Sequence, residues 1–213
     1  RYITPAGGVR AFELVTGAGA VTLDPRWFQA AGTFVQSGLH HILGGADHLL
    51  FLLCLVLPFG RFGWPLVGVI TAFTVAHSIT LLAAALGWVP VAAAFPLLVE
   101  VLIAASIVYM AVENLLGPRL QARWLLTVIF GLVHGFGFAF GLATELQFAG
   151  SHLVVSLLAF NVGIELGQLF VLALAWPVLA WVRVRLGSRE RWLTVVVSAF
   201  IAHEAWHWLS ERF

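Results

Sequence analysis

The chain is divided into long apolar blocks, at about 37–58, 64–87, 91–115, 121–142, 151–182 and 191–211, joined by short connections. A helix needs roughly 20 consecutive apolar residues to cross a bilayer, and each block meets or approaches that length. A soluble domain would carry about 25% charged residues. Here the figure is 10%, hydrophobic residues make up 61%, and lysine is absent. The blocks predict an all-α integral membrane protein, a bundle of six transmembrane helices with the lipid bilayer as its partner. A net charge of +1 supplies no basic surface, so no nucleic-acid partner is expected. Cys54 is the single cysteine and sits in an apolar run, which excludes an intrachain disulfide.

Residues 1–24 hold Gly7, Gly8, Gly17 and Gly19 between short β-like runs such as Phe12 to Thr16. They read as a linker or the end of a preceding extracytoplasmic domain, with the membrane domain covering 25–213. Asp24-Pro25 is a helix start, Asp as N-cap and Pro at the first helical position. One helix from there to Leu57 would be about 50 Å long, too long for a simple span. Gly44-Gly45 is the natural bend, and a short outer amphipathic helix over 25–36 is expected ahead of the first span. Arg61 follows the first span, Arg119 and Arg123 the third, and Arg183, Arg185, Arg189 and Arg191 the fifth. The other two connections hold no arginine, so by the positive-inside rule both termini are extracytoplasmic.

Most of the 8 histidines (His40, His41, His48, His77, His134, His203 and His207) lie in or beside these blocks, together with Asp47, Glu100 and Glu165. Ionisable groups in apolar spans are costly and mark functional sites by default. Imidazole and carboxylate are also the usual ligands of a borderline divalent metal. At 1.5 Å per residue, Asp47, His48, His77, Glu100, His134 and His203 fall about 12–15 Å below the outer ends of their spans. His207 lies nearer 6 Å and Glu165 at about 20 Å on the same count. These residues therefore form one layer in the outer half of the bilayer, while the cytoplasmic half offers little beyond Glu113 and Asn114.

Periodicity supports that layer. His40 with Asp47, and His41 with His48, are seven apart and share a helix face, and Asn161, Glu165 and Gln168 form one stripe. His203 and His207, four apart, can place two imidazoles on one metal. For each polar residue the competing reading is an interhelical hydrogen bond that fixes packing. Asn161 and Gln168 read that way, and His152 as a residue of an outer loop. The run His203-Glu204-Ala205-Trp206-His207 fits H-E-x-x-H, in which two histidines bind zinc and Glu acts as base. Ser78 would offer a hydrolase a hydroxyl, although serine in such helices usually bonds its own backbone.

The run His40-His41-Ile-Leu-Gly-Gly-Ala-Asp47-His48-Leu-Leu-Phe51 resembles the first signature of the HupE/UreJ family of membrane proteins. Further matching stretches follow in order: Phe73 to Thr80 around His77, Glu100 with Ile103 to Ser106, Phe130 to Phe138 around His134, and Phe160 to Gln168 around Glu165. The resemblance is nearest to the branch with an extracytoplasmic domain ahead of its membrane part. It implies a multi-pass protein of the bacterial inner membrane that serves hydrogenase or urease, some members being regarded as nickel permeases. An upstream domain or accessory subunits would be further partners.

Two functional expectations result. The first is binding and transport of a divalent transition metal, nickel by the resemblance or otherwise zinc, from the extracytoplasmic side. Its ligands would come from His41, Asp47, His48, His77, His134, Glu165, His203 and His207. The second is an intramembrane hydrolase whose outward-facing, zinc-type site activates water, with Glu204, Ser78 and Asp47 as catalytic groups.

Overall fold

A computed structural model describes residues 25–90 and 92–212 and the backbone of 2–3 and 9–10; of 139–140 and 142–144 it describes the backbone alone. The backbone of Tyr2–Ile3 (β1) pairs antiparallel with that of Val9–Arg10 (β2). The β-like run at Phe12 to Thr16 and the expected cap Asp24 lie outside the described residues. Helices follow at Trp27–Gly44 (α1), Ala46–Val56 (α2), Trp64–Ala85 (α3), Phe95–Leu116 (α4), Arg123–Leu146 (α5), Leu153–Leu186 (α6) and Glu190–Glu211 (α7).

The first helix departs from expectation in two ways. It opens after Arg26, whose backbone N–H donates to Gln29 Oε1 at 2.9 Å, so Gln29 satisfies the helix start in place of Asp24. It then runs without interruption past residue 36, so there is no separate outer helix over 25–36. The chain turns only at Gly45, where α1 and α2 meet at 73°. Packing explains the continuity, because α1 lies along α6. A Cβ at Gly38 would collide with the Phe160 carbonyl, and one at Gly163 with the Val35 carbonyl. The two backbones are therefore in contact over this stretch, as small residues permit in membrane helices.

Helices α3 and α5 pair in the same manner, with Gly131 set so that a Cβ would lie 2.8 Å from the Phe73 carbonyl oxygen. Helix α4 packs on α7, and the short α2 runs inward among α1, α4 and α7. Among the described residues, Trp64–Ala85, Phe95–Leu116 and the continuous stretch Leu153–Glu211 are long and apolar enough to cross a membrane. The bent pair α1–α2 makes a fourth if counted as one span, and α5 contributes the shorter apolar run Arg123–Phe138. The surface is correspondingly apolar: Val75, Ile79, Leu158, Leu174, Val178 and Phe200 are all more than half exposed, whereas His48, His77, His134 and Gln168 are buried. This inverts the arrangement of a water-soluble domain and suits a lipid surround.

Because α2 ends inside the bundle, its last carbonyls cannot turn to water. Three side chains from neighbouring helices meet them. Asn114 Nδ2 donates to the Cys54 carbonyl at 2.9 Å, and Arg123 Nη1 donates to the Cys54 and Leu55 carbonyls at 3.2 Å each. Arg183 Nη2 donates to the Leu57 carbonyl at 2.6 Å. Arg123 also bonds Glu113 and the Asn114 side-chain oxygen, and Asn114 donates to Ser198 Oγ. Arg123, expected in a cytoplasmic connection, is thus fully buried. Glu113, one of the few polar residues expected in the cytoplasmic half, is its counter-ion.

Candidate metal centre

The break at Gly45 creates the site. On a continuous helix His41 and His48 would be about 10.5 Å apart along the axis. The 73° turn brings their ring centroids to 4.6 Å. Gly45 is extended (φ −88°, ψ 101°), and a Cβ there would lie 2.8 Å from His48 Nδ1 and 2.9 Å from Asp47 Oδ1. Glycine leaves the room in which the carboxylate and the imidazole meet. The shared face inferred from the seven-residue spacing is therefore replaced by a fold-back that brings the rings closer than the spacing allows.

Asp47 occupies the first turn of α2, where the helix macrodipole favours an anion. Its Oδ1 accepts from the His48 backbone N–H at 2.9 Å and from His48 Nδ1 at 3.0 Å. A carboxylate only accepts, so Nδ1 of His48 carries a proton and Nε2 is the nitrogen that Asp47 leaves free. His134, on α5, is set in the same way, since its Nδ1 donates to the Phe130 carbonyl at 2.8 Å. In metal sites such partners orient imidazole ligands and raise their basicity. As placed, Asp47 serves His48 rather than standing apart as a further ligand.

Helix α3 supplies His77, which is completely buried. The His41–His77 and His48–His77 ring centroids are 6.0 and 6.1 Å apart, and His134 stands 5.4 Å from His48. One ligand nitrogen from each of His41, His48 and His77 falls within 4.8 Å of the others. Nitrogens on one tetrahedral zinc ion at 2.0–2.1 Å would be about 3.4 Å apart, so an ion needs modest closure of the three rings. The surroundings are apolar: Phe51 and Phe73 flank His48 and His134, while Phe138 and Phe160 flank His41.

Burial makes this cluster chemically informative. His41 Nε2, His48 Nε2, both nitrogens of His77 and His134 Nε2 are buried with no hydrogen-bond partner. Buried polar atoms are seldom left unpaired, and each one so left costs about 1–3 kcal/mol. Imidazole nitrogens that converge from four helices fit a divalent cation, whose binding would satisfy them together.

The remaining expected residues lie elsewhere. His203 and His207 are exposed on α7, and His207 Nε2 is 3.2 Å from Glu211 Oε1. Glu204, between them, is half-buried, and these residues are not among those brought to the histidine cluster. Glu100 is exposed and faces Arg212, whose Nε is 3.7 Å away. Glu165 Oε1 accepts from Thr71 at 2.7 Å, and Gln168 Oε1 from Thr74 at 2.8 Å, forming a polar seam between α3 and α6. Ser78 donates to the Thr74 carbonyl at 2.6 Å, within its own helix. Asn161 likewise donates to the Leu157 carbonyl, and His40 is exposed.

Sequence reasoning passed over Glu145, near the end of α5. Ser37 of α1 donates to it, and with His40 and His41 both residues line a cavity of about 480 Å³. An acid in the last turn of a helix opposes the macrodipole, and that was the available signal.

Comparison with curated proteins and with solved structures found no match to the chain. The family model described as HupE / UreJ protein matches residues 18–212. That range takes in nearly the whole chain and every residue of the histidine cluster, and the protein belongs to the HupE/UreJ family.

Proposed function

We propose that this protein binds a divalent transition metal at the α1–α2 break and carries it across the membrane, with nickel as the substrate its family suggests. The observation that carries the reading is the set of buried, unpaired nitrogens on His41, His48, His77 and His134. In this reading the bundle crosses the membrane six times with both ends extracytoplasmic, as the arginines of alternate connections favour. The histidines would hold the ion by exchangeable nitrogen ligands, and Asp47 would balance part of its charge. The exposed pair on α7 is not part of this ligand set.

One observation favours the hydrolase as a second reading. Inward of the histidines the core is apolar, with Phe51, Leu55, Ile70, Ile107 and Met110 all buried. A permeating ion would have to part those side chains, whereas a resident zinc that activates water needs no inner path.

Metal analysis of the purified protein tests the shared premise. Wild type should retain a stoichiometric divalent metal, and His48→Ala and His77→Ala should each lose it. Full retention in both variants would refute a metal centre here. Uptake of radioactive nickel into proteoliposomes then separates the readings: flux that disappears in both variants supports transport, while tightly held zinc without flux supports hydrolysis.

A further inference from the structure

The cavity beside α1 runs from Thr33 and Phe34 to His41 and is also lined by Gln36, Ser37, His40, Phe138 and Glu145. From Ser37 to His41 is four residues, about 6 Å along the helix, so the cavity leads down to the histidine cluster. Phe138 lines the cavity beside His41. Its ring centroid is 3.9 Å from that of His41, and it stacks on Phe160 at 5.0 Å with the planes 3° apart. The described lining contains one carboxylate and no arginine.

We propose that Glu145 and His40 form a capture subsite for a hydrated divalent cation in this cavity, which reaches the histidine cluster that receives the ion at His41. The proposal rests on the metal-binding reading above and adds a second site of different chemistry. Glu145 lies at the C-terminal end of α5, where the helix carbonyls already favour positive charge, so carboxylate and macrodipole act in the same sense on an arriving cation. The Ser37 hydroxyl fixes one carboxylate oxygen and thereby orients the group. Carboxylate and water are hard donors that exchange readily, whereas imidazole suits transition metals better. A donor set that passes from Glu145 through His40 to His41, His48 and His77 therefore binds more strongly with depth, which gives the ion a direction.

Calorimetric titration of the purified full chain with zinc ions reads both sites at once. Wild type should bind two equivalents, one at least ten-fold weaker than the other. Glu145→Gln, which keeps the size of the side chain, should weaken the weaker equivalent at least ten-fold and leave the tighter one. His77→Ala should do the reverse, and Ser37→Ala should weaken the outer site a few-fold. A single equivalent in wild type, or a weaker equivalent indifferent to Glu145→Gln, would overturn the capture subsite while leaving the inner centre standing. Loss of both equivalents in Glu145→Gln would likewise overturn it, by making Glu145 part of one site. No binding in wild type would remove the metal reading itself, a different result from each of these.

Discussion

The two ends of α2 are built from similar materials and finished in opposite ways. At its inner end the helix carbonyls, Asn114, Arg123 and Glu113 form a buried network in which donors meet acceptors across three helices. At its outer end, 11 residues away, imidazoles converge and their outward nitrogens meet nothing. Both ends place ionisable groups inside an apolar bundle, where such groups are expensive. The inner end offsets most of that cost with protein partners, leaving one nitrogen each of Arg123 and Arg183 unpaired. The outer end leaves the cost standing, and a cation is what would offset it. What separates the two ends is which atoms stay unpaired: at the inner end Arg123 Nε and Arg183 Nη1, belonging to guanidinium groups that are otherwise bonded, and at the outer end converging imidazole nitrogens that can ligate a metal.

The sharpest break of this comparison is Arg123→Ala. It strands Glu113 without its counter-ion and leaves the Cys54 and Leu55 carbonyls short of a donor. Removing one partner of a buried pair costs about 3–5 kcal/mol, so a large fall in thermal stability in detergent is expected. The metal bound per folded molecule should stay unchanged. His48→Ala should behave in the opposite way, with the metal lost and a smaller fall in stability, because Asp47 keeps the backbone N–H of residue 48 as a donor. If His48→Ala proved as destabilising as Arg123→Ala, the outer end would be structural too.

Asp47→Asn sharpens the contrast within the outer end, because Asp47 is its one well-partnered member. An outer-shell carboxylate typically contributes 10–100-fold to metal affinity through the imidazole it orients. Asparagine keeps an oxygen that can accept from His48 but lacks the charge, so a loss in that range is expected by zinc titration, with stability little changed. A complete loss, equal to that in His48→Ala, would instead make Asp47 a direct ligand.

Much of this was legible in the sequence, but unevenly. Apolar blocks of helical length locate α3 to α7 well, because burial and lipid exposure both demand apolar residues and the helix period follows. His48, His77 and His134 could be nominated as costly residues at one depth, and His41 through its seven-residue spacing from His48. Their convergence depends on the turn at Gly45, which is set by tertiary contacts: α6 holds α1 straight through Gly38 and Gly163, and Arg123 and Asn114 hold the far end of α2. Depth could not tell that His203, although level with the others, sits on a helix packed against α4 with its side chain exposed. Arg123 was misread for a related reason. An arginine beside a short connection looks like a topology marker, and only the buried end of α2 shows what it bonds. Glu145 carried a signal only in its unfavourable place at a helix end.

The smallest effect, and the finest test of the inner end, is Ser198→Ala. Ser198 Oγ accepts from Asn114 Nδ2 at 3.1 Å, but the same amide also donates to the Cys54 carbonyl at 2.9 Å. Removing the hydroxyl leaves the amide with a partner, so the network should tolerate the change. Interhelical hydrogen bonds in membrane bundles average about 0.6 kcal/mol and reach about 1.7. A loss near the lower figure is expected, read as a small shift in thermal unfolding, with zinc affinity unaltered. A shift well beyond the upper figure would show that Asn114 depends on both acceptors, making the inner network a single unit rather than a redundant one. A fall in zinc affinity would show more: the two ends of α2 would then be coupled through the helix, and the paired end would share in the function of the unpaired one.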